Sequence, residues 1–130
     1  MDAATTTGAE LRFGDWGPAY VLEGPRTLIG VCHLRSGDEM TNHYHAHHEE
    51  SFLVLEGEVS VWMDCRERHV LKVGDVHRCD PYEMHYLVNE GPELMRLLFI
   101  KAPAVADDKV DVPWHPGDPV PVLANPTKEL

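Results

Sequence analysis

The sequence predicts an all-β sandwich or barrel, and three observations carry that expectation. Gly and Pro punctuate the chain about every eight to twelve residues, the runs between them are short and rich in Val, Leu, Phe, Trp and Tyr, and no segment keeps a helical apolar period over a helical length. The expected strands are Thr27–Arg35, Met40–His45, Glu50–Leu55, Glu58–Asp64, His69–Val73, Val76–Cys79, His85–Asn89 and Leu94–Ala102. Tight connections are expected at Glu56-Gly57, Gly74-Asp75 and Glu90-Gly91-Pro92, where Gly supplies a positive φ and Pro cannot extend a ladder.

The two ends differ from this middle. Residues 1–26 read as a disordered Ala- and Thr-containing start followed by a short edge strand around Trp16, Pro18 and Tyr20. Residues 103–130 form a Pro-rich C-terminal wrap or tail, with prolines at 103, 113, 116, 119, 121 and 126. Proline at that density favours extended chain that lies over the barrel but cannot join a central strand. Trp114, with Val110 and Val112 nearby, is its expected anchor, and an ordered wrap is preferred to a substrate-gating lid. Residues 27–102 are the barrel itself.

Parity orients the strands. Glu50, Phe52 and Val54 share one face of their strand, and Ser51, Leu53 and Leu55 share the other. Val59, Val61 and Met63 are expected inside, opposite Ser60, Trp62 and Asp64. Apolar residues on both faces of 50–55 and 94–100 call for a covering layer, from a second sheet, the tails or a second subunit, so a homodimer is expected.

Composition excludes several classes of function. The 130 residues carry a formal charge of −11, which argues against nucleic acid and anionic membrane as partners. No run is long and apolar enough to span a bilayer, and Met1 to Glu10 lacks the basic and apolar regions of a secretory signal. Cys32, Cys65 and Cys79 are an odd number without a CxxC pair, which suits a reducing, cytoplasmic setting better than a disulfide scaffold. No DNA-binding helix pair is present, which excludes a one-component transcription factor.

The anomaly is the nine histidines, four of them within Asn42-His43-Tyr44-His45-Ala46-His47-His48-Glu49-Glu50. His43 and His45 are two apart, so in an extended strand both rings project from one face, which is half of a metal site. Glu50 stands at an odd offset from His45 and needs a turn or bulge through Ala46-His47-His48 to return to the inner face. A fourth ligand is expected from a distant strand, with His85 the natural candidate. On spacing alone a shifted set using His47 or Glu49 is the alternative. His47 and His48 otherwise read as rim or solvent residues, and His33, His69, His77 and His115 as ordinary core or surface histidines. The cysteines read as small buried hydrophobes.

These residues resemble the cupin superfamily. Its first motif, G-x5-H-x-H-x4-E-x6-G, is matched at every fixed position by Gly37, His43, His45, Glu50 and Gly57. The spacing to Gly57 selects Glu50 over Glu49. Its second motif, G-x5-P-x-G-x2-H-x3-N, is met by Gly74, His85 and Asn89, while Asp80 replaces the proline, Tyr82 replaces the glycine and Pro81 sits one place late. These departures fall on the turn before His85 and not on the ligand. The resemblance covers residues 27–102. It implies a double-stranded β-helix (jelly-roll) barrel with extended terminal segments, in which His43, His45, Glu50 and His85 hold one divalent metal.

Three imidazoles and one carboxylate suit Fe(II), Mn(II), Ni(II) or Zn(II) better than Mg²⁺ or Ca²⁺. Fe(II) is the preferred ion. The leading expectation is an Fe(II) oxygenase-like oxidoreductase acting on a small polar molecule in an apolar-walled pocket, because four ligands leave open positions on an octahedral ion. The second is a non-redox isomerase, epimerase or lyase, for which Tyr82, Glu83 or His77 would supply the general base. The third is a non-enzymatic metal or small-ligand binding module. Fold alone does not choose among them.

Overall fold

The computed structural model describes residues 1–123; Pro126 and the rest of 124–130 lie outside the described residues. Ten strands run in chain order: β1 (Gly17–Glu23), β2 (Leu28–Leu34), β3 (Glu39–His45), β4 (Glu49–Glu56), β5 (Glu58–Met63), β6 (Glu67–Lys72), β7 (Val76–Cys79), β8 (His85–Val88), β9 (Met95–Ala102) and β10 (Lys109–Asp111). They form two five-stranded sheets, ordered β1-β2-β9-β4-β7 and β10-β3-β8-β5-β6. Every pairing is antiparallel. No helix among the described residues is long and apolar enough to cross a membrane.

The expected strands are present, with ends that differ by one to a few residues, and the inward parity is as read. Phe52, Val54, Val59 and Val61 are buried in the layer between the sheets, where they meet Leu97 and Phe99 of β9. Ser60 is also buried despite its outward parity, and its hydroxyl hydrogen-bonds the Glu90 carboxylate. Gly57 turns β4 into β5 with φ of 69°, and a Cβ there would stand 2.4 Å from the Leu94 carbonyl oxygen. Only glycine fits that approach.

Both flanks join the sheets. β1 pairs with β2 at the edge of the first sheet, with Pro18 opposite Cys32. Arg96 donates to the Thr6 carbonyl at 3.2 Å. The C-terminal segment contributes β10, a three-residue edge strand on β3 that the proline content concealed. Beyond it Trp114 is buried with Cys65, Met84 and Tyr86 in a second cluster, against which Trp62 and Val112 pack. The wrap is therefore the covering layer for the outer face of the second sheet. The outer face of the first sheet stays partly open, with Ile100 37% exposed and Leu53, Leu55 and Leu98 half-buried.

Asn89, the last residue of the second motif, holds this frame and performs no chemistry. Its side-chain amide donates to the Leu34 and Glu93 carbonyls, each at 2.8 Å, and its Oδ1 accepts from the Gly91 N–H at 3.0 Å.

Candidate metal centre

β3 and β8 are neighbours in the second sheet, and their register sets His43 directly opposite His85. A bulge between Met40 and His43 brings Met40, His43 and His45 onto the same inner wall despite their mixed parity. Residues 46–48 then carry the chain to the first sheet, where β4 begins at Glu49. Parity does not propagate through such a crossing, which is why Glu50 faces inward at an odd offset. Three imidazoles from one sheet thus meet one carboxylate from the other. Their donor atoms all lie within 4.8 Å of one another, and all four residues are buried.

The hydrogen bonds behind the rings set the tautomers. His43 Nδ1 lies 2.6 Å from the Thr41 carbonyl, and His85 Nδ1 lies 3.0 Å from that of Glu83. A carbonyl only accepts, so both Nδ1 atoms carry protons and both Nε2 atoms are left for the interior. Glu50 Oε1 stands 3.0 Å from His45 Nε2 and 3.1 Å from His85 Nε2. An electron-rich oxygen facing two ring nitrogens needs positive charge beside it. Burial alone would push the Glu50 carboxyl up, but the hydrogen bonds from His45 and His85 hold it well below the usual range. Burial keeps His43 and His45 neutral, shifting both down, His43 strongly.

His85 differs. Burial disfavours its cation, but Cys79 and Glu50 outweigh burial and push it up to about 10. In the protein alone the positive charge is the His85 proton; a divalent transition-metal ion meets the same demand with the same donors. The buried His43, His45, Glu50 and His85 therefore fit such an ion. A consequence for pH follows. A raised His85 value means that proton and metal compete throughout the neutral range, so affinity should rise with pH by about tenfold per unit until His85 deprotonates. Zn(II) titrated into weakly buffered protein at pH 8 should release about one proton per ion bound. Binding without proton release would show that His85 is not displaced.

A second donor group adjoins the first. His45, His48 and Asp108 also place ligand atoms within 4.8 Å of one another. Asp108 follows β9 in the chain by six residues, and its Oδ2 accepts from the backbone N–H groups of His47 and His48 at 2.8 and 2.9 Å. Burial pushes the Asp108 carboxyl up, but those bonds hold it below its ordinary value. The contacts draw His48 inward, so of the expected rim or solvent position the solvent-facing alternative is corrected: His48 lines the cavity and is 3% exposed, with its ring 4.3 Å from that of His45. Burial, aided by His45, lowers His48 to about 4, so it is a neutral imidazole on the inner wall. His47 does face solvent, with a side chain 69% exposed.

Both groups open on a cavity of about 570 Å³, walled by Met40, Phe52, Leu87, Leu97 and Phe99 and lined also by Tyr20 and residues 104–109. The C-terminal flank thus borders the cavity as well as wrapping the barrel. Tyr82 and His77, the expected proton-transfer residues, are not among the described residues that line it. Tyr82 stacks on Tyr44 with ring centroids 5.2 Å apart, and its N–H donates to the His45 carbonyl at 2.8 Å. Its φ of 67° is the left-handed conformation that the motif's glycine would adopt, so the turn before His85 persists with a tyrosine in it. His77 lies in a separate depression with His69 and Glu83. Glu49 reaches outward to Arg78 at 3.7 Å, which leaves Glu50 as the interior carboxylate. The residues that sequence reasoning missed are Tyr20, His48, Lys101 and Asp108. Lys101 was recoverable by continuing the inward parity of Leu97 and Phe99 for one more step.

A two-sheet, all-antiparallel barrel of this order defines the double-stranded β-helix class of proteins. The cupin domain family matches residues 30–101, and the chain belongs to that family. None of the curated proteins matches this sequence. Among solved structures it is similar to an uncharacterized conserved protein with a double-stranded β-helix domain from Klebsiella pneumoniae, at 28% identity and a TM-score of 0.68 over 75% of this chain and 86% of that one. A predicted oxalate decarboxylase from Thermotoga maritima shares the fold at 20% identity and a TM-score of 0.67, over 78% of this chain and 99% of that one. The polyketide cyclase RemF from Streptomyces resistomycificus does so at 15% identity and a TM-score of 0.73, over 88% and 87%. The varied activities named for the last two leave the reaction of this chain to its own residues.

Proposed function

We propose that this protein is a metal-dependent enzyme acting on a small molecule held in the barrel cavity, with Fe(II) oxygenase-like chemistry as the leading reading. The observation that supports it is that His43, His45, Glu50 and His85 face one cavity of small-molecule size. Bound Fe(II) would supply the redox chemistry of dioxygen activation. The chain's own contribution is to hold the ligands in fixed tautomers, to exclude bulk water with Phe52, Leu97 and Phe99, and to orient the substrate against the ligand cluster.

A non-redox isomerase or lyase is the second reading, favoured by the Lys101–Tyr20 pair on the cavity wall, whose Nζ and Oη are 2.9 Å apart and offer protons beside the site. Anaerobic reconstitution with Fe(II), followed by oxygen-uptake assays on diols, diketones and catechols, separates the two. Substrate-dependent oxygen consumption is expected. Turnover with Zn(II) in the absence of oxygen would instead establish the non-redox reading, and saturated sites without any turnover would leave a binding module. The half-buried Leu53, Leu55 and Leu98 beside exposed Ile100 support a homodimer through the first sheet. The three buried free thiols support a cytoplasmic setting.

A further inference from the structure

Lys101 ends the inward face of β9, opposite Glu50 in the β4 register, and its side chain is only 13% exposed. Its Nζ stands 2.9 Å from Tyr20 Oη and 5.2 Å from the ring centroids of both Tyr20 and Phe99. The nearest ion-pair partner among the described residues is Glu50 Oε2, at 3.9 Å, beyond hydrogen-bond distance. Glu50 is already committed to His45 and His85 through Oε1 and, on the reading above, to the ion. A tyrosine hydroxyl and two aromatic faces orient an ammonium group but do not neutralise it. A lysine with a largely buried stem and an accessible ammonium presents that charge to an anion in the cavity.

From this we infer that the substrate is a compact carboxylate with an apolar body, its carboxylate seated on Lys101 Nζ and Tyr20 Oη and its body on Phe52, Leu97 and Phe99. The inference rests on the cavity being the substrate pocket of the proposed enzyme and names what that pocket selects. One ammonium and one hydroxyl match a carboxylate. Lys101 and Tyr20 are accordingly specificity-determining residues rather than metal ligands.

Calorimetric titration of benzoate and cyclohexanecarboxylate against benzamide and cyclohexanecarboxamide tests this, using the full chain loaded with Zn(II) and the same chain treated with chelator. Both carboxylates should bind about tenfold or more tightly than their amides, the range expected of a hydrogen bond to a charged group. Lys101→Met should abolish that preference while zinc content stays at the wild-type level. Tyr20→Phe, which keeps the cation and removes one hydroxyl, should weaken carboxylate binding by a smaller factor and covers the case in which the lysine variant does not fold. Equal binding of acids and amides by the wild type, binding of neither, or an undiminished preference in a folded lysine variant would overturn the inference. The metal reading fails separately. A Lys101-dependent preference in protein that takes up no zinc would support the carboxylate site and refute the metal centre, and stoichiometric zinc without a preference would do the reverse.

Discussion

Replacing His85 with alanine should abolish stoichiometric metal binding, and His45→Ala should do the same. His85 joins the two halves of the cluster, because it lies across the strand pair from His43 and within 3.1 Å of Glu50. Its loss leaves His43 and His45 on one sheet with a single ring nitrogen against the Glu50 carboxylate. The barrel should survive, since the apolar layer formed by Phe52, Val54, Val61 and Leu97 does not depend on the imidazole. His47→Ala is the informative control. That ring projects into solvent from the same histidine-rich run, so its removal should leave metal content at the wild-type level. Elemental analysis of the three variants after identical reconstitution reads the difference directly. Full metal retention by His45→Ala or His85→Ala would overturn the ligand assignment.

The second large effect concerns the C-terminal wrap. Trp114→Ala should destabilise the fold by about 3–5 kcal/mol, the usual range for emptying a buried tryptophan site. The ring is 4% exposed and meets Trp62 edge-on at 5.7 Å and Tyr86 at 6.0 Å. Its Nε1–H donates to the Asp118 carbonyl at 3.1 Å, so the indole has no unmet polar group in its pocket. Because the wrap also carries β10 and borders the cavity mouth, loosening it should lower the melting temperature by on the order of 10–20 °C and weaken ligand binding together. Val110→Ala, at a side chain 39% exposed on the same segment, should change stability by no more than about 0.5 kcal/mol. A Trp114→Ala protein that melts with the wild type would show that the wrap is ornamental to stability.

Much of this architecture is legible in the residues themselves. Alternation in 50–55 and 58–63 predicts the inward sets Glu50/Phe52/Val54 and Val59/Val61/Met63, because both strands bury that face in the same apolar layer. The His/Glu cluster is legible because its spacing is local: two positions on one strand, one just past the crossing, and one on the strand beside the first. What local spacing cannot convey is contact across the fold. His48 is drawn inward by Asp108, which is 60 positions away, and nothing between 42 and 50 announces that partner. Tyr20 reaches the cavity only because β1 joins the sheet edge beside β2, and it meets Lys101 across 81 positions. β10 is a three-residue pairing inside a proline-rich segment, too short for its alternation to rise above the composition around it. Tyr82 shows the opposite limit. Its residue type argues against a left-handed turn, yet the N–H bond to His45 and the stack on Tyr44 hold one there.

On the function proposed above, the interior His/Glu cluster holds a metal ion in the working protein. Elemental analysis of the full chain, expressed natively and purified without chelator or added metal, tests it most directly. About one transition-metal ion per chain is expected, with iron the leading element. Protein that arrives without a transition metal, and that takes up none of Fe(II), Mn(II), Ni(II) or Zn(II) at neutral pH, would contradict it.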